Sequence, residues 1–362
     1  MVLNYILGVV AALSAPLIMT IGFYIWDGLW SGSSLGLNIF KGTLATVIFL
    51  IIIGIINLAS NQIYFQHQGT NEDIGWIVLS AFIGITIGDT CWLQSMAMIG
   101  ARRVIIVDVT KPFLAAIIGF IGLNEPITPL LFVGLFLTMS GVGIVSFEQT
   151  AKKKKDCDTV KEQTTTKIST KEEVVNVTTI NVTTTTAAEG TNTDHCLCCS
   201  RLVGGYLFAC LNVLFDVFGS YLTRKFGAGL TTFDINAIRF GSSACTLILI
   251  STVPYLFYYH NKRHTKISLL LYGKYNWMSN MSYKNWSMVS IGVMFVTVAC
   301  PALSNWALFQ LPLGICLCLT STGPLYAIPI SYFFKKEKIT KRTIFGSILA
   351  IIGVVVLQLT KA

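Results

Sequence analysis

The sequence predicts an all-α, multi-pass membrane protein with ten transmembrane helices, arranged as two inverted five-helix repeats. Three observations lead to this prediction: an apolar composition, ten apolar stretches of helical length, and a residue pattern that occurs twice. Of the 362 residues, 53% are hydrophobic and 12% are charged, which is about half the charged share of a soluble domain. The mean hydropathy is +0.67. This composition excludes a cytosolic enzyme, a disordered regulator and a secreted disulfide-bonded domain.

Ten apolar stretches have the length of a transmembrane helix, since roughly 20 apolar residues cross a bilayer core about 30 Å thick. They cover residues 2–25, 35–59, 74–98, 104–123, 127–147, 202–222, 233–259, 287–308, 313–334 and 343–359. The stretches do not alternate in polarity, and they exceed the roughly 9–11 residues of a barrel strand, so helices are predicted. The first stretch has no basic region before it, which favours an uncleaved span over a signal peptide.

Two polar segments divide the apolar stretches. Residues 148–201 are rich in Thr, Lys and Glu without an apolar period, and we predict that they form a disordered linker. This linker separates a first five-helix repeat, residues 1–147, from a second, residues 202–362. Residues 260–286 form a shorter polar loop within the second repeat.

The two halves carry the same residues in the same register. Thr110, Pro112, Glu125, Thr128, Gly134 and Gly141 recur 212 residues later as Thr322, Pro324, Glu337, Thr340, Gly346 and Gly353. Asn38 and Lys41 recur 198 residues later as Asn236 and Arg239. Because each unit has five helices, an odd number, the second copy is predicted to be inverted, as in many secondary transporters. The paired glycines lie on one helix face, where they allow close backbone contact.

These residues resemble a known family. The segment from Gly88, Asp89 and Thr90 to Arg102, together with Pro112 and residues 123–126, resembles the EamA domain of the drug/metabolite transporter superfamily. Residues 319–356 resemble it again, but residues 299–302 of the second half lack the Gly-Asp element. The resemblance implies ten helices, a central polar cavity and alternating access for a small organic solute. It does not identify the solute.

Ionisable residues within the apolar stretches are candidates for the functional site, because a charge in the bilayer centre costs at least a few kcal/mol. The candidates for solute binding are Lys41, Asp89, Asp108, Lys111 and Arg239, together with Asn38 and Asn236; Asp216 is a further charge within a span. Asp89 is the strongest candidate for a proton-linked or solute-linked carboxylate, although a fixed partner such as Lys41 would make it structural. Asp108 and Lys111 share a helix face and are expected to pair. The alternative for Lys41 and Arg239 is that their long side chains extend to the lipid headgroups and do not line the cavity.

Four further residues are predicted to have structural roles. Pro112 and Pro324 are expected to break their helices and to act as hinges. Glu125 and Glu337 precede spans five and ten, where the helix dipole favours a carboxylate.

The predicted function is that of a secondary transporter for a small polar metabolite, charged or zwitterionic. A divalent-cation carrier and a non-transporting membrane scaffold or receptor are the alternatives. No sequence motif for catalysis, for cofactor binding or for a His-Glu metal site on a helix occurs. His195 and its neighbouring cysteines are an alternative metal site that lacks a second ligand group at the usual spacing, and their position before span six indicates palmitoylation if the loop is cytosolic. The expected partners are the solute and the lipid bilayer, without nucleic acid; a coupled proton and the oligomeric state stay open.

The distribution of basic residues predicts the orientation. Of the 26 Lys and Arg residues, 20 lie in loops after odd-numbered spans and only three on the other side. By the positive-inside rule, the loops after odd-numbered spans are cytosolic and both termini are not. The family resemblance implies the opposite orientation, and all four glycosylation sequons, including Asn176 and Asn181, lie on the basic side. We expect a labelling reagent applied from outside the cytosol to react with both termini. Glycans attached to Asn176 or Asn181 would contradict this orientation.

Overall fold

The computed structural model describes residues 2–26, 29–30, 34–60, 70–99, 101–146, 193–261, 281–335 and 340–359. These residues form ten helical segments, α1–α10. Six are single helices: α1 Val2–Trp26, α2 Ser34–Ser60, α5 Pro129–Ser146, α6 Thr193–Phe226, α7 Thr232–Asn261 and α10 Lys341–Leu359. Four are divided: α3 (Asn71–Ala81, Phe82–Asp89, Thr90–Ile99), α4 (Ala101–Asp108, Lys111–Leu123), α8 (Tyr283–Val293, Met294–Ala299, Cys300–Gln310) and α9 (Leu313–Thr320, Gly323–Lys335).

The prediction of an all-helical, multi-pass membrane protein is confirmed. Within the described part of the chain, nine helices are long and apolar enough to cross a membrane, and the broken segment α4 adds the shorter apolar helix Lys111–Leu123. Successive helices alternate in direction. We call the face where α1 begins the N-terminal face, and the face where α5 ends and α6 begins the linker face.

One boundary of the predicted linker is wrong. Most of the segment predicted to be disordered, up to residue 192, lies outside the described residues, as does most of the loop at 260–286. Residues 193–201, however, belong to α6, which begins at Thr193. These nine residues contain no proline or glycine that would end the helix, so α6 extends beyond its apolar part.

Each half of the chain packs its first helix against the third helix of the other half. In α1, Gly8 abuts Gln310 and Gly22 abuts Gly292, so α1 runs antiparallel to α8. The Ser95 hydroxyl of α3 donates to the Gly205 carbonyl of α6 (2.9 Å), and the two helices also run antiparallel. The halves therefore interlock, as two copies related by a two-fold axis in the membrane plane would do. The inversion itself stays a prediction.

Glycines hold α5 against α10. A Cβ on Gly141 would overlap the backbone of Gly346 and Ala350, and a Cβ on Gly353 would lie 2.9 Å from the Gly134 carbonyl oxygen. The Gly141–Gly346 contact and the Gly134–Gly353 contact are equivalent under the 212-residue repeat. The predicted packing role of these glycines is confirmed, because their backbones approach too closely for any side chain.

The third helix of each half contains a π-helical segment at the same register. The segments begin at Phe82 in α3 and at Met294 in α8, which are 212 residues apart. In α8, Pro301 follows the segment and lacks the N–H that a regular helix would use. In α3 the Asn212 amide donates to the Gly88 carbonyl oxygen (3.0 Å), so a neighbouring helix adds a hydrogen bond where the winding changes. Wider turns of this kind are frequent at functional sites.

The structure corrects the role predicted for Glu125. The sequence assigned it to the N-terminus of α5, but its carboxylate accepts a hydrogen bond from the Leu313 N–H at the start of α9 (2.7 Å). Asn124, in the left-handed conformation at φ 54°, ends α4 and turns the chain, so that Glu125 reaches the other half of the protein. The Arg224 guanidinium lies 3.9 Å from the carboxylate. Glu125 therefore links the halves at the N-terminal face, while Glu337 lies outside the described residues.

The contact between α5 and α10 gives a stability prediction. We expect Gly141→Val to lower the melting temperature in detergent, because overpacking of a close contact costs about 1–3 kcal/mol. Gly143→Val is the matched control on the same helix, since a Cβ on Gly143 would meet no atom within 4 Å. Equal melting temperatures for the two variants would contradict the packing assignment.

The position of Glu125 gives a pH prediction. Burial raises the pKa of Glu125 above its ordinary value of 4.5, and the Leu313 N–H and Arg224 offset only part of that rise. A carboxyl group with a raised pKa stabilises the fold in its protonated form, and this contribution is lost as the pH rises through the folded pKa. The wild-type melting temperature, measured relative to that of Glu125→Gln, should therefore fall as the pH rises above about 4.5. Parallel curves for wild type and Glu125→Gln would contradict the prediction.

Candidate functional site

Lys111 is the centre of a charge cluster inside the membrane region. Its ammonium lies 3.2 Å from the Asp108 carboxylate and 3.1 Å from the Asp216 carboxylate. Asp108 and Lys111 belong to α4, and Asp216 lies on α6, so the cluster joins the two halves of the chain. The predicted pairing of Asp108 with Lys111 is therefore present in the structure, with Asp216 added to it.

The cluster lies at the break in α4. The first helix of α4 ends at Asp108 and the second begins at Lys111, with Pro112 following in its first turn. The ion pair therefore bridges the break. The Trp92 indole N–H, on α3, donates to Asp108 (3.2 Å) and fixes the carboxylate from a third direction. The equivalent break in α9 separates Thr320 from Gly323, just before Pro324.

Lys41 and Asp89 form a second ion pair next to this cluster. The Lys41 ammonium on α2 lies 3.6 Å from the Asp89 carboxylate, at the end of the π-helical segment of α3. Lys41 is 9% exposed, so it does not extend to the headgroups. The side chains of Asp89 and Asp216 are each 36% exposed, far more than the lysines beside them. Two carboxylates of the cluster are thus more exposed than the cations that pair with them.

Arg239 lies in the same electrostatic neighbourhood without an ion pair. It is 8% exposed, and the acidic groups that act on it are Asp216 and Asp89. No carboxylate of a described residue lies within 4.0 Å of its guanidinium. Its Nε is buried and has no hydrogen-bond partner within the described ranges. Arg239 and Lys41 each lie about two turns into their helices, and α7 and α2 begin at opposite faces.

The two predicted asparagines differ in their contacts. The Asn236 side chain accepts a hydrogen bond from the Asn305 amide of α8 (2.7 Å) and donates one to the Thr232 carbonyl (2.9 Å). Asn236 therefore ties α7 to α8. The Asn38 amide nitrogen is buried, and it has no partner in the described part of the chain.

A vestibule opens between α2, α7 and α8 toward the N-terminal face. Its volume is about 740 Å³, and its lining is mainly apolar and aromatic. Ile53 of α2, Phe233 of α7 and Trp306 of α8 are among the lining residues. Helices α2 and α8 therefore diverge at this end.

An aromatic cluster joins the same two helices at the linker face. Phe40 of α2 and Trp286 of α8 have ring centroids 5.2 Å apart. Trp30, in the turn before α2, lies 6.1 Å from Phe40 and 6.0 Å from Trp286. These ring contacts hold α2 and α8 together at the linker face. Lys41, the residue after Phe40 in α2, is buried next to them.

The sequence did not identify every residue of this site. Asp216 was recognised as a charge within a span but was not assigned to the site, because only the fold brings it to Lys111. Trp92 and Asn305 were missed, since an isolated polar atom within a span gives no periodic signal. The described residues contain no group of three His, Cys, Asp or Glu side chains that could hold a metal ion.

Comparisons with known proteins agree with this fold. No curated protein matches the chain. Among solved structures, 27 chains match. One, a crystal structure of a protein, is 11% identical and has a TM-score of 0.63, over 98% of this chain and 98% of that one. At this identity the likeness shows the fold alone.

The family comparison is more specific. The sequence profile of the EamA-like transporter family matches residues 6–147 and 203–359, which is most of the chain. The match includes every charged residue of the cluster and the helices that carry them. The chain therefore belongs to the EamA-like transporter family and is an integral, multi-pass membrane protein.

Proposed function

We propose that this protein is a secondary transporter that moves a small charged or zwitterionic metabolite across a membrane by alternating access. One observation carries the proposal: six ionisable side chains from five helices of both halves meet within the membrane region. They are Lys41, Asp89, Asp108, Lys111, Asp216 and Arg239. A purely structural protein has little reason to place six charges where each is costly.

The exposed carboxylates support an aqueous binding site. Asp89 and Asp216 lie far from the ends of their helices, and each side chain is more than a third exposed. A carboxylate does not face lipid at that depth, so its exposed oxygens face a water-filled space between the helices. In this proposal the six side chains line that space, with Asn38 beside Lys41.

The charge balance favours a zwitterion. The cluster has three acidic and three basic groups and thus no formal net charge. A simple anion or cation would leave an uncompensated charge in a region of low dielectric constant. A solute with one positive and one negative group leaves the balance unchanged.

The geometry of α2 and α8 supports alternating access. These helices meet at the linker face through Phe40 and Trp286 and diverge around the vestibule at the N-terminal face. In the proposed cycle the protein opens alternately to the two faces, with the breaks at Pro112 and Pro324 as hinges. The proposal includes two inverted repeats, residues 1–147 and 202–362, because inverted repeats are common in transporters of this kind.

A divalent-cation carrier fits these contacts less well. Such a site uses several carboxylates that converge on one ion. Here the Lys111 ammonium lies between Asp108 and Asp216, and Lys41 lies beside Asp89. These ammonium groups occupy the positions where a cation would have to bind.

The central test of the proposal is Asp89→Asn. We expect this variant to lose transport in proteoliposomes or to lose its coupling to a proton gradient, because the site loses one of its two exposed carboxylates and Lys41 loses its partner. The measurement is uptake of a mixed metabolite pool, followed by mass spectrometry. The protein should still insert and elute as a single species.

The matched control is Glu72→Gln, a neutralised carboxylate on the same helix that lies exposed in its first turn. It should transport at the wild-type rate. If Asp89→Asn also transported at that rate, Asp89 would be a structural partner of Lys41 and the assignment of the cavity would be wrong.

A further inference from the structure

Arg239 differs from the other five charges of the cluster. Lys41 is paired with Asp89, and Lys111 with both Asp108 and Asp216. The Arg239 guanidinium has no ion pair among the described residues, and its buried Nε has no hydrogen-bond partner there, although the residue is more than nine-tenths buried. An arginine cannot avoid this cost by releasing its proton.

The repeat explains why Arg239 lacks a partner. Lys41 and Arg239 are repeat mates, and the partner of Lys41 is Asp89. The residue 212 positions after Asp89 is Pro301, which has no charge. The second half therefore keeps the cation of the Lys41–Asp89 pair and lacks its carboxylate.

The guanidinium packs against a glycine of α3. One Arg239 terminal nitrogen lies 3.3 Å from the position that a Cβ on Gly84 would occupy, so the glycine of α3 makes room for it. Asp216 and Asp89 face the guanidinium from α6 and α3, beyond ion-pair distance. An anionic group of a bound molecule that reached the guanidinium would therefore compensate its charge without breaking an ion pair.

We propose that Arg239 is the residue that recognises the anionic group of the transported solute, and that this group is a carboxylate. This inference rests on the proposed transport function and specifies its substrate class. The planar fork of a guanidinium matches the two oxygens of a carboxylate, and both N–H···O bonds are charge-assisted. Bound there, the carboxylate supplies the partner that the second half of the chain lacks.

The number of free cations limits the charge of the solute. Arg239 is the one cation of the six-residue cluster that is left unpaired within the described ranges, and Asp108 and Asp216 share the single charge of Lys111. The cluster therefore has room for one negative group beside Arg239 and stays balanced when the solute also carries one positive group. A phosphate monoester carries about −1.5 to −2 at pH 7, and its excess charge would face Asp216 and Asp89. Phosphorylated metabolites are therefore excluded, and so are amines without an acidic group.

Transport assays with matched compounds test this inference. Proteoliposomes are incubated with a mixture of amino acids, simple carboxylates and phosphate monoesters. The mixture also contains the amide of each carboxylate and the amine that its decarboxylation would give. Uptake of every compound is measured by mass spectrometry. We expect uptake of at least one free carboxylate, and about tenfold or more preference over its amide, from the loss of a charge-assisted pair. Arg239→Gln should reduce this uptake by a similar factor.

Two further variants separate recognition from folding. Arg239→Lys keeps the buried charge but loses the fork, so it should raise the KM for the carboxylate while the protein remains folded. Arg103→Gln, at an exposed arginine outside the cluster, is the matched control and should transport as the wild type does. Melting temperatures of all variants identify any loss of folding.

The possible failures are distinguishable. Uptake of amides, amines or phosphate monoesters without carboxylates would leave a transporter but overturn the role of Arg239. Carboxylate uptake at the wild-type rate by folded Arg239→Gln would overturn it as well. The absence of any uptake by the folded wild-type protein would refute the proposed function, and with it this inference.

Discussion

The position of Lys111 between Asp108 and Asp216 is the interaction on which the arrangement of the helices depends. None of the three can face lipid without a large free-energy cost, so α4 and α6 must bring them together. Because α4 belongs to the first half and α6 to the second, this requirement holds the halves to each other. Removing one partner of such a buried group leaves an uncompensated charge, which costs more than the intact cluster contributes.

The same constraint accounts for the exchange of helices between the halves. Alone, the first half would keep Lys111 and Asp108 at the break of α4, with no second carboxylate. Packing α6 against α3 and α4 supplies Asp216, and packing α1 against α8 completes the exchange in the other direction. Glycines such as Gly141 and Gly346 allow the outer pair α5 and α10 to approach closely enough to close the bundle. A binding site at the junction therefore needs both halves.

Sequence reasoning recovered the features that depend on local composition. The ten spans follow from hydropathy, the break in α4 follows from Pro112, and the pairing of Asp108 with Lys111 follows from helical spacing. It could not give the contacts between distant segments. Glu125 reaches Leu313, 188 residues away, and no local pattern distinguishes that partner from the start of α5. The π-helical segment of α3 was also beyond prediction, because its sequence contains no proline and its extra hydrogen bond comes from Asn212.

In the proposed function, the polar site depends on a repeated backbone that carries unequal side chains. If both copies carried the Lys41–Asp89 pair, every cation in the cluster would be satisfied by the protein itself, and a solute would have to break an ion pair in order to bind. The chain instead has Pro301 where a second carboxylate would stand, and the buried Nε of Arg239 has no hydrogen-bond partner among the described residues. In the proposed function the repeat provides the framework for opening to either face, and the replacement of a second carboxylate by Pro301 leaves Arg239 available to the solute.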